Sequence, residues 1–276
     1  MIDSLFYNSY TLFSDENIEK IKNAKISIAG AGGVGCAAIE MLTRLGVNNF
    51  KIADPDSYQV QNLNRQLFAT MATIDKNKAM CAKERILSIN PNCNVQIYPE
   101  GVTLSNVADF CQDADIIMAL NDTESIKVLL HKFGKINNIP VVMGSRTSVD
   151  KSRWSVMGKI WDYKANPELP TFGFTNHPDL DCYTFENLTQ EILFEYDKHI
   201  KAKKIATFKN SAEISSDNYF KTISKDELKR KLDEVPDAYN RSVCSVIANI
   251  GGCLAATVAL RYIIGCPQEE IKIDLI

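Results

Sequence analysis

The sequence predicts an α/β fold: a doubly wound, mostly parallel sheet extended by a C-terminal meander and interrupted by an inserted, aromatic-rich segment. Three observations predict it. Short apolar runs alternate with helical runs from Lys25 to Gly144. The strands lack polar alternation, as in Ile116-Ile117-Met118-Ala119-Leu120, which is the signature of strands covered on both faces. A glycine-rich turn joins the first such strand to the first long helix.

Each element has its own local reason. Lys25 to Ala29 (KISIA) is a short β-type run. Gly33 to Leu45 carries Val34, Ala37, Ala38, Met41, Leu42 and Leu45 at helical spacing. Asn49 to Ala53 reads as the second strand, and Lys76 to Ile89 as a helix stopped by Asn90-Pro91, since proline restricts the residue before it and has no N–H to continue the ladder. Val95 to Tyr98 is the third strand, and Ser105 to Cys111 a short helix with Ser105 as its expected N-cap. The apolar strand 116–120 follows, then a helix from about Thr123 to Phe133 and a strand over 140–144. Right-handed crossovers between these strands give the doubly wound topology.

Beyond Arg146 the texture changes. Trp154 to Trp161 suits a meander strand, and Glu270 to Leu275 alternates as a final one. Between them, 162–240 is rich in aromatic, turn-forming and basic residues, including the run 198–204 (KHIKAKK). It reads either as an insertion or lid-like subdomain, or as a solvated amphipathic helix followed by loops. Ser242 to Ile264 is a long apolar helix, and within it Val243 to Leu260 carries no charge. Its polar Asn249, its paired Gly251 and Gly252, and the Arg261 that follows favour a buried helix over a membrane span.

Composition bounds the function. The chain has 276 residues, 45% hydrophobic and 24% charged, with a net charge of −3. These values exclude wholesale disorder and disfavour a dedicated nucleic-acid binder. The eight cysteines, at 36, 81, 93, 111, 182, 244, 253 and 266, form no CxxC pair. Reduced thiols, no structural zinc and a cytoplasmic setting are therefore expected. The N-terminus Met1-Ile2-Asp3-Ser4 lacks a basic region followed by an apolar core and shows no secretory signal.

The chemistry-bearing residues gather at strand ends. Gly30-Ala31-Gly32-Gly33-Val34-Gly35 fits GxGxxG between strand and helix. Its glycines permit a tight turn, close approach to phosphate and close helix–strand packing, while the helix N-terminus offers free N–H groups to an anion. This is a Rossmann-like arrangement. Strand two ends in Ala53-Asp54-Pro55-Asp56. An acid at this place usually binds ribose; Asp54, first beyond the strand, is favoured, and Asp56 is either a second nucleotide contact or a plain loop carboxylate. Asn62-Leu63-Asn64-Arg65-Gln66 follows, with Lys78 further on. Two cations and two amides suit a triphosphate with magnesium better than a dinucleotide pyrophosphate, because arginine grips phosphate oxygens bidentately and lysine acts as a point charge. After the apolar strand comes Asn121-Asp122-Thr123. Asp122 can hold Mg²⁺ through oxygen or cap the next helix.

Taken together, GAGGVG, DPD, NLNRQ, the lysine at 78 and the ND pair resemble the ThiF/MoeB/HesA superfamily, which includes ubiquitin-activating enzymes and tRNA threonylcarbamoyladenosine dehydratases. The resemblance covers about 15–160 and 235–276. It implies a single adenylation domain over 1–276, with 162–240 as an insertion or crossover-like subregion. It implies ATP and Mg²⁺ as ligands: Gly30, Gly32, Gly33 and Gly35 as the turn, Asp54 on ribose, Asn62, Arg65 and Lys78 on phosphates, Gln66 in support, and Asp122, beside Asn121, on magnesium. The implied reaction is adenylation of a carboxylate with release of pyrophosphate. The implied partners are a ubiquitin-like C-terminus, a peptide, a small acid or a tRNA-borne carboxylate, and a second copy of the chain. Where relatives place an N-terminal arginine that reaches the partner subunit's ATP, this chain reads Phe6-Tyr7-Asn8-Ser9-Tyr10. Many relatives also carry two CxxC pairs for zinc, absent here, and the usual aspartate-asparagine order is replaced by Asn121-Asp122-Thr123. Cys182 stands where thioester-forming relatives keep a nucleophile, but Asp179 and Asp181 beside it would raise its pKa, so a structural thiol is the competing reading. The other function classes are an NAD-binding oxidoreductase, opposed by the Arg65/Lys78 pair, and a non-catalytic nucleotide-binding scaffold.

Overall fold

The computed structural model describes residues 4–150, 153–170, 185–194, 196–197 and 245–274. Its centre is one seven-stranded sheet in the order β3-β2-β1-β4-β5-β6-β7. The strands are β1 (Lys25–Ala29), β2 (Asn49–Ala53), β3 (Asn94–Tyr98), β4 (Ile116–Ala119), β5 (Val141–Asp150), β6 (Arg153–Trp161) and β7 (Glu270–Asp274). The first five run parallel, with β1 flanked by β2 and β4. The last two add as an antiparallel meander.

The helices are α1 (Tyr7–Tyr10), α2 (Asp15–Asn23), α3 (Gly33–Leu45), α4 (Lys78–Ile89), α5 (Val107–Cys111), α6 (Glu124–Ile136) and, in the C-terminal part, α7 (Ser245–Ile263). Two apolar layers cover the sheet. One joins α3, α4 and α7 to the strand residues Ile26, Ile28, Ile52 and Met118. The other joins α5 and α6 to Ala29, Ile117 and Val141. The alternate residues of β1 thus serve opposite faces, as the pleat requires.

Several boundaries differ from expectation for local reasons. α4 begins at Lys78 because the Asn77 side chain accepts from the Met80 N–H and caps the helix there. Ser105 does not cap α5: its hydroxyl pairs with that of Thr103, and the cap position falls to Asn106. α6 runs on to Ile136. β5 continues past Gly144 because its second half pairs with β6 as a hairpin.

α7 is long and apolar enough to cross a membrane, yet it packs as a core helix. A Cβ on Gly252 would lie 2.3 Å from the Val34 carbonyl oxygen, and one on Gly158 of β6 would lie 2.5 Å from that of Leu254. Only glycine lets α7 approach both α3 and the meander this closely. Glu40 of α3 sits beside Arg44 and Arg85, with contacts of 2.7 Å to each. Burial works against its charge, but the two guanidiniums prevail and hold the carboxyl below the usual range.

Candidate functional site

The glycine turn is built by steric necessity. Gly30 has φ +105°, and a Cβ there would meet the Asn121 backbone nitrogen at 2.6 Å. A Cβ on Gly35 would lie 1.9 Å from the Gly30 carbonyl oxygen. The turn therefore lies tight against the C-terminal ends of β1 and β4, with α3 opening directly behind it.

Three side chains pin Ala31 within that turn. Asp54 Oδ2 accepts the Ala31 N–H at 2.7 Å. The Tyr58 hydroxyl and the Cys36 thiol each donate to the Ala31 carbonyl at 3.0 Å. Asp54 Oδ1 accepts the Asp56 N–H at 3.0 Å. Burial raises the Asp54 carboxyl, although the Lys78 ammonium and these N–H donors pull the other way. Burial also pushes the Cys36 thiol up to about 12, which makes it a packing residue and not a nucleophile.

The residues expected from sequence at the phosphate end converge. Asp56, Asn62, Arg65, Gln66, Lys78 and Asp122 line one cavity of about 240 Å³, together with Ser57 and Gln59, which the sequence did not single out. Asn62 and Gln59 exchange side-chain and backbone bonds across a short 3₁₀ turn over Val60–Asn62. Arg65 lies across the start of α3, its Cγ and carbonyl 3.6 Å from the Cβ position of Gly33, and donates to Gln61 O and Asn64 Oδ1. Lys78, the first residue of α4, is buried and donates to Asp56 Oδ2 at 2.8 Å. Gln66 is buried over Gly32, its amide nitrogen 3.7 Å from the Cβ position there.

Two placements were not legible in the sequence. Asp54 does not line the cavity; it sits beneath the glycine turn with both oxygens engaged by backbone N–H groups. Asp56 is the acid that faces the cavity, through Lys78. The Asn121 amide donates to the Thr123 carbonyl at 2.7 Å, and Thr123 stands at the N-cap of α6. Asp122 is therefore not the cap and stays exposed on the cavity. Asn77, passed over in the sequence reading, bonds the carbonyls of Asp54, Asp56 and Pro99 and so ties the ends of β2 and β3 to the start of α4. The sequence placed it inside a helix expected from Lys76, whereas it stands at the N-cap of α4. Cys182 lies outside the described residues.

Among the described residues no cluster of three His, Cys, Asp or Glu side chains forms. A cavity with two basic side chains and two carboxylates, one of them (Asp56) already paired with Lys78, does not suit a metal caged by protein alone. It suits Mg²⁺ carried in with phosphates, which needs only one or two protein carboxylates. The orphaned, buried Gln66 Oε1 in the same wall is an acceptor without a protein donor, as expected where a ligand completes the site.

The fold and the site together define a nucleotide-binding α/β protein of the doubly wound class. The chain belongs to the ThiF family, whose model matches residues 7–275. It is 34% identical over 131 residues to the adenylyltransferase and sulfurtransferase UBA4 of Scheffersomyces stipitis, covering 48% of this chain and 30% of that one. The crystal structure of Escherichia coli tRNA N6-threonylcarbamoyladenosine dehydratase, TcdA, aligns at 29% identity with a TM-score of 0.52, over 57% of this chain and 66% of that one. TcdA has been crystallised with AMP and with ATP. E. coli MccB shares the fold over 93% of this chain and 62% of its own, with TM-score 0.61 and 16% identity. The chain thus spans less than two thirds of each of these proteins.

Proposed function

We propose that the chain is one adenylation domain that activates a carboxylate with ATP. The observation that carries this reading is the convergence of Asn62, Arg65, Lys78 and Asp122 on one cavity beside the glycine turn. Two cations and an amide there match the charge of a triphosphate. Asp122 would hold the magnesium, which supplies further neutralisation of phosphate charge when bound.

In the reaction, a carboxylate oxygen of the acid bonds to the α-phosphorus, the bond to the bridging oxygen breaks, and pyrophosphate leaves with that electron pair. The products are an acyl adenylate and pyrophosphate. No protein nucleophile is required; Arg65 and Lys78 orient the phosphates and offset the charge that builds on the leaving group. Asp54 acts through the glycine turn, keeping the Ala31 peptide fixed while Gly32 and Gly33 face the nucleotide.

The relatives' names favour a protein or tRNA-borne carboxylate over a small free acid. A homodimer is supported by the exposed apolar side chains of Val60, Leu63, Leu67 and Met71, which lie close in sequence to Asn62, Arg65 and Gln66 and suit contact with a second copy.

The test is pyrophosphate exchange into ATP with candidate carboxylates, together with thermal shift by ATP–Mg²⁺ and by NAD. Stabilisation by ATP–Mg²⁺ and exchange with one carboxylate class support the reading. Stabilisation by NAD alone overturns it.

A further inference from the structure

The base of the inserted segment is stitched along the length of α6. Lys135 Nζ donates to the Leu169 carbonyl at 2.8 Å. Phe133 meets Phe185 edge-on, with ring centroids 5.6 Å apart. His131 Nδ1 bonds the Tyr163 hydroxyl at 2.7 Å. Leu188, Leu193 and Tyr196 are buried in the same apolar layer as Val128 and Leu129.

The last of these stitches lies at the N-terminus of α6. Thr123 occupies the N-cap position but its side chain makes no cap bond. Asp197, 72 residues beyond Ser125, takes over that role: its Oδ1 accepts the Ser125 N–H at 3.0 Å, and its Oδ2 accepts the Ser125 hydroxyl in a short bond. Ser125 is 2% exposed. A carboxylate here satisfies an otherwise orphaned donor of the first turn and opposes the positive end of the helix dipole. Just upstream, the Asn121 amide holds the Thr123 carbonyl at 2.7 Å. Asp122 stands in the chain between Asn121 and Thr123, three residues before Ser125, and lines the cavity.

We propose that Asp197 is a positioning residue for Asp122, so that the inserted segment sets the metal-dependent part of nucleotide binding by capping α6 from outside. The proposal rests on the reading of Asp122 as the magnesium ligand. With Asp197 in place, the Asn121–Thr123 loop has one conformation and presents the Asp122 carboxylate to the cavity. Without it, the first turn of α6 frays and the carboxylate is no longer held. The phosphate contacts of Arg65 and Lys78 come from other elements and are untouched by that loss.

The test is the affinity of the full chain for ATP, by titration calorimetry, in Mg²⁺ and in EDTA. The ratio of the two affinities reads Asp122; the EDTA value reads the rest of the pocket. Asp197→Ala is expected to lower the ratio about fivefold, the scale of one lost helix cap, with the EDTA affinity unchanged. Asp197→Asn, which keeps a carbonyl acceptor for the Ser125 N–H, should recover part of the ratio. Equal weakening in both buffers, or an unchanged ratio, overturns the proposal. Ser125→Ala removes one of the two bonds without touching the insertion and should lower the ratio by a smaller factor, which keeps the proposal testable if Asp197→Ala does not fold. Asp122→Asn separates the two levels. If it leaves the ratio unchanged, the reading of Asp122 fails and the proposal with it. If it abolishes the ratio while Asp197→Ala does not lower it, only the proposal fails.

Discussion

Asp54 Oδ2 accepts the backbone N–H of Ala31 at 2.7 Å, a bond that ties the end of β2 to the glycine turn after β1. The other oxygen holds the Asp56 N–H. An acid was expected at this place for a ribose; the structure shows it first as the brace that keeps the turn in shape.

The isosteric change Asp54→Asn tests the brace. The amide supplies one acceptor oxygen where two are used and turns an NH₂ toward a backbone donor. Leaving one buried N–H unpaired costs about 1–3 kcal/mol, which should appear as a lower urea midpoint with an unchanged slope. ATP affinity should fall as well, because the Ala31 peptide is no longer fixed. Undiminished stability would show that the two bonds contribute nothing net.

Lys78 and Asp56 pair with very different exposure: the lysine side chain is 8% exposed and the aspartate 59%. Asp56→Asn leaves a buried ammonium with less compensation, which destabilises the ligand-free protein. A triphosphate restores that compensation. The variant should therefore have a lower melting temperature without ligand and a larger rise on adding ATP than the unaltered chain, in matched thermal-shift measurements. Lys78→Ala should show little or no rise. An equal rise in Asp56→Asn and the unaltered chain would mean that the ion pair and the nucleotide do not share Lys78.

How much of this was legible in the sequence depends on the range over which each residue acts. The strands β1, β2 and β4 and the helix α3 were readable because apolar periodicity and the Gly30–Gly35 turn are local signals, and the nearness of Arg65, Lys78 and Asp122 because the carboxyl ends of the strands in a doubly wound sheet share one edge. That Asp54 braces the glycine turn while Asp56 lines the cavity was not readable. It depends on which oxygen meets an N–H from another strand's turn, and two acids separated by one proline look alike in one dimension. The capping of α6 by Asp197 was invisible for the same reason: a helix cap is normally sought within a few residues, not 72 away. β5 was read short because its extension is set by pairing with β6, and not by its own pattern.

The contact between α3 and α7 offers a matched pair of substitutions. A Cβ on Gly252 would meet the Val34 carbonyl at 2.3 Å and the Ala37 Cβ at 2.6 Å, whereas one on its neighbour Gly251 would meet only Val34 Cγ2, at 3.7 Å. Gly252→Ala must push the helices apart, and overpacking of this kind costs about 1–3 kcal/mol. Gly251→Ala meets no such obstacle and gains helix propensity, so its expected effect is neutral to mildly stabilising. Chemical denaturation of the two variants checks the difference. Equal destabilisation by both would mean that the loss is not steric.

His131 is fully buried, with Nδ1 on the Tyr163 hydroxyl and Nε2 3.3 Å from Met143 Sδ. Burial, with a smaller contribution from the Lys127 charge, pushes its pKa down from 6.5 to about 3. The unfolded chain therefore binds a proton at this residue below pH 6.5 that the folded chain refuses. Stability from this group is complete above pH 6.5 and is lost as pH falls toward 3, with a slope of up to about 1.4 kcal/mol per pH unit for one proton. Between pH 6.5 and 5 most carboxylates remain ionised in both states, so the histidine dominates the slope there. His131→Gln keeps a polar partner for Tyr163 but does not titrate. Its urea midpoint at pH 7 should be modestly lower than that of the unaltered chain, and its midpoint should change little between pH 6.5 and 5. Parallel pH profiles for the two proteins would show that His131 is protonated in the fold, and that the Tyr163 hydroxyl accepts the bond from it and does not donate it.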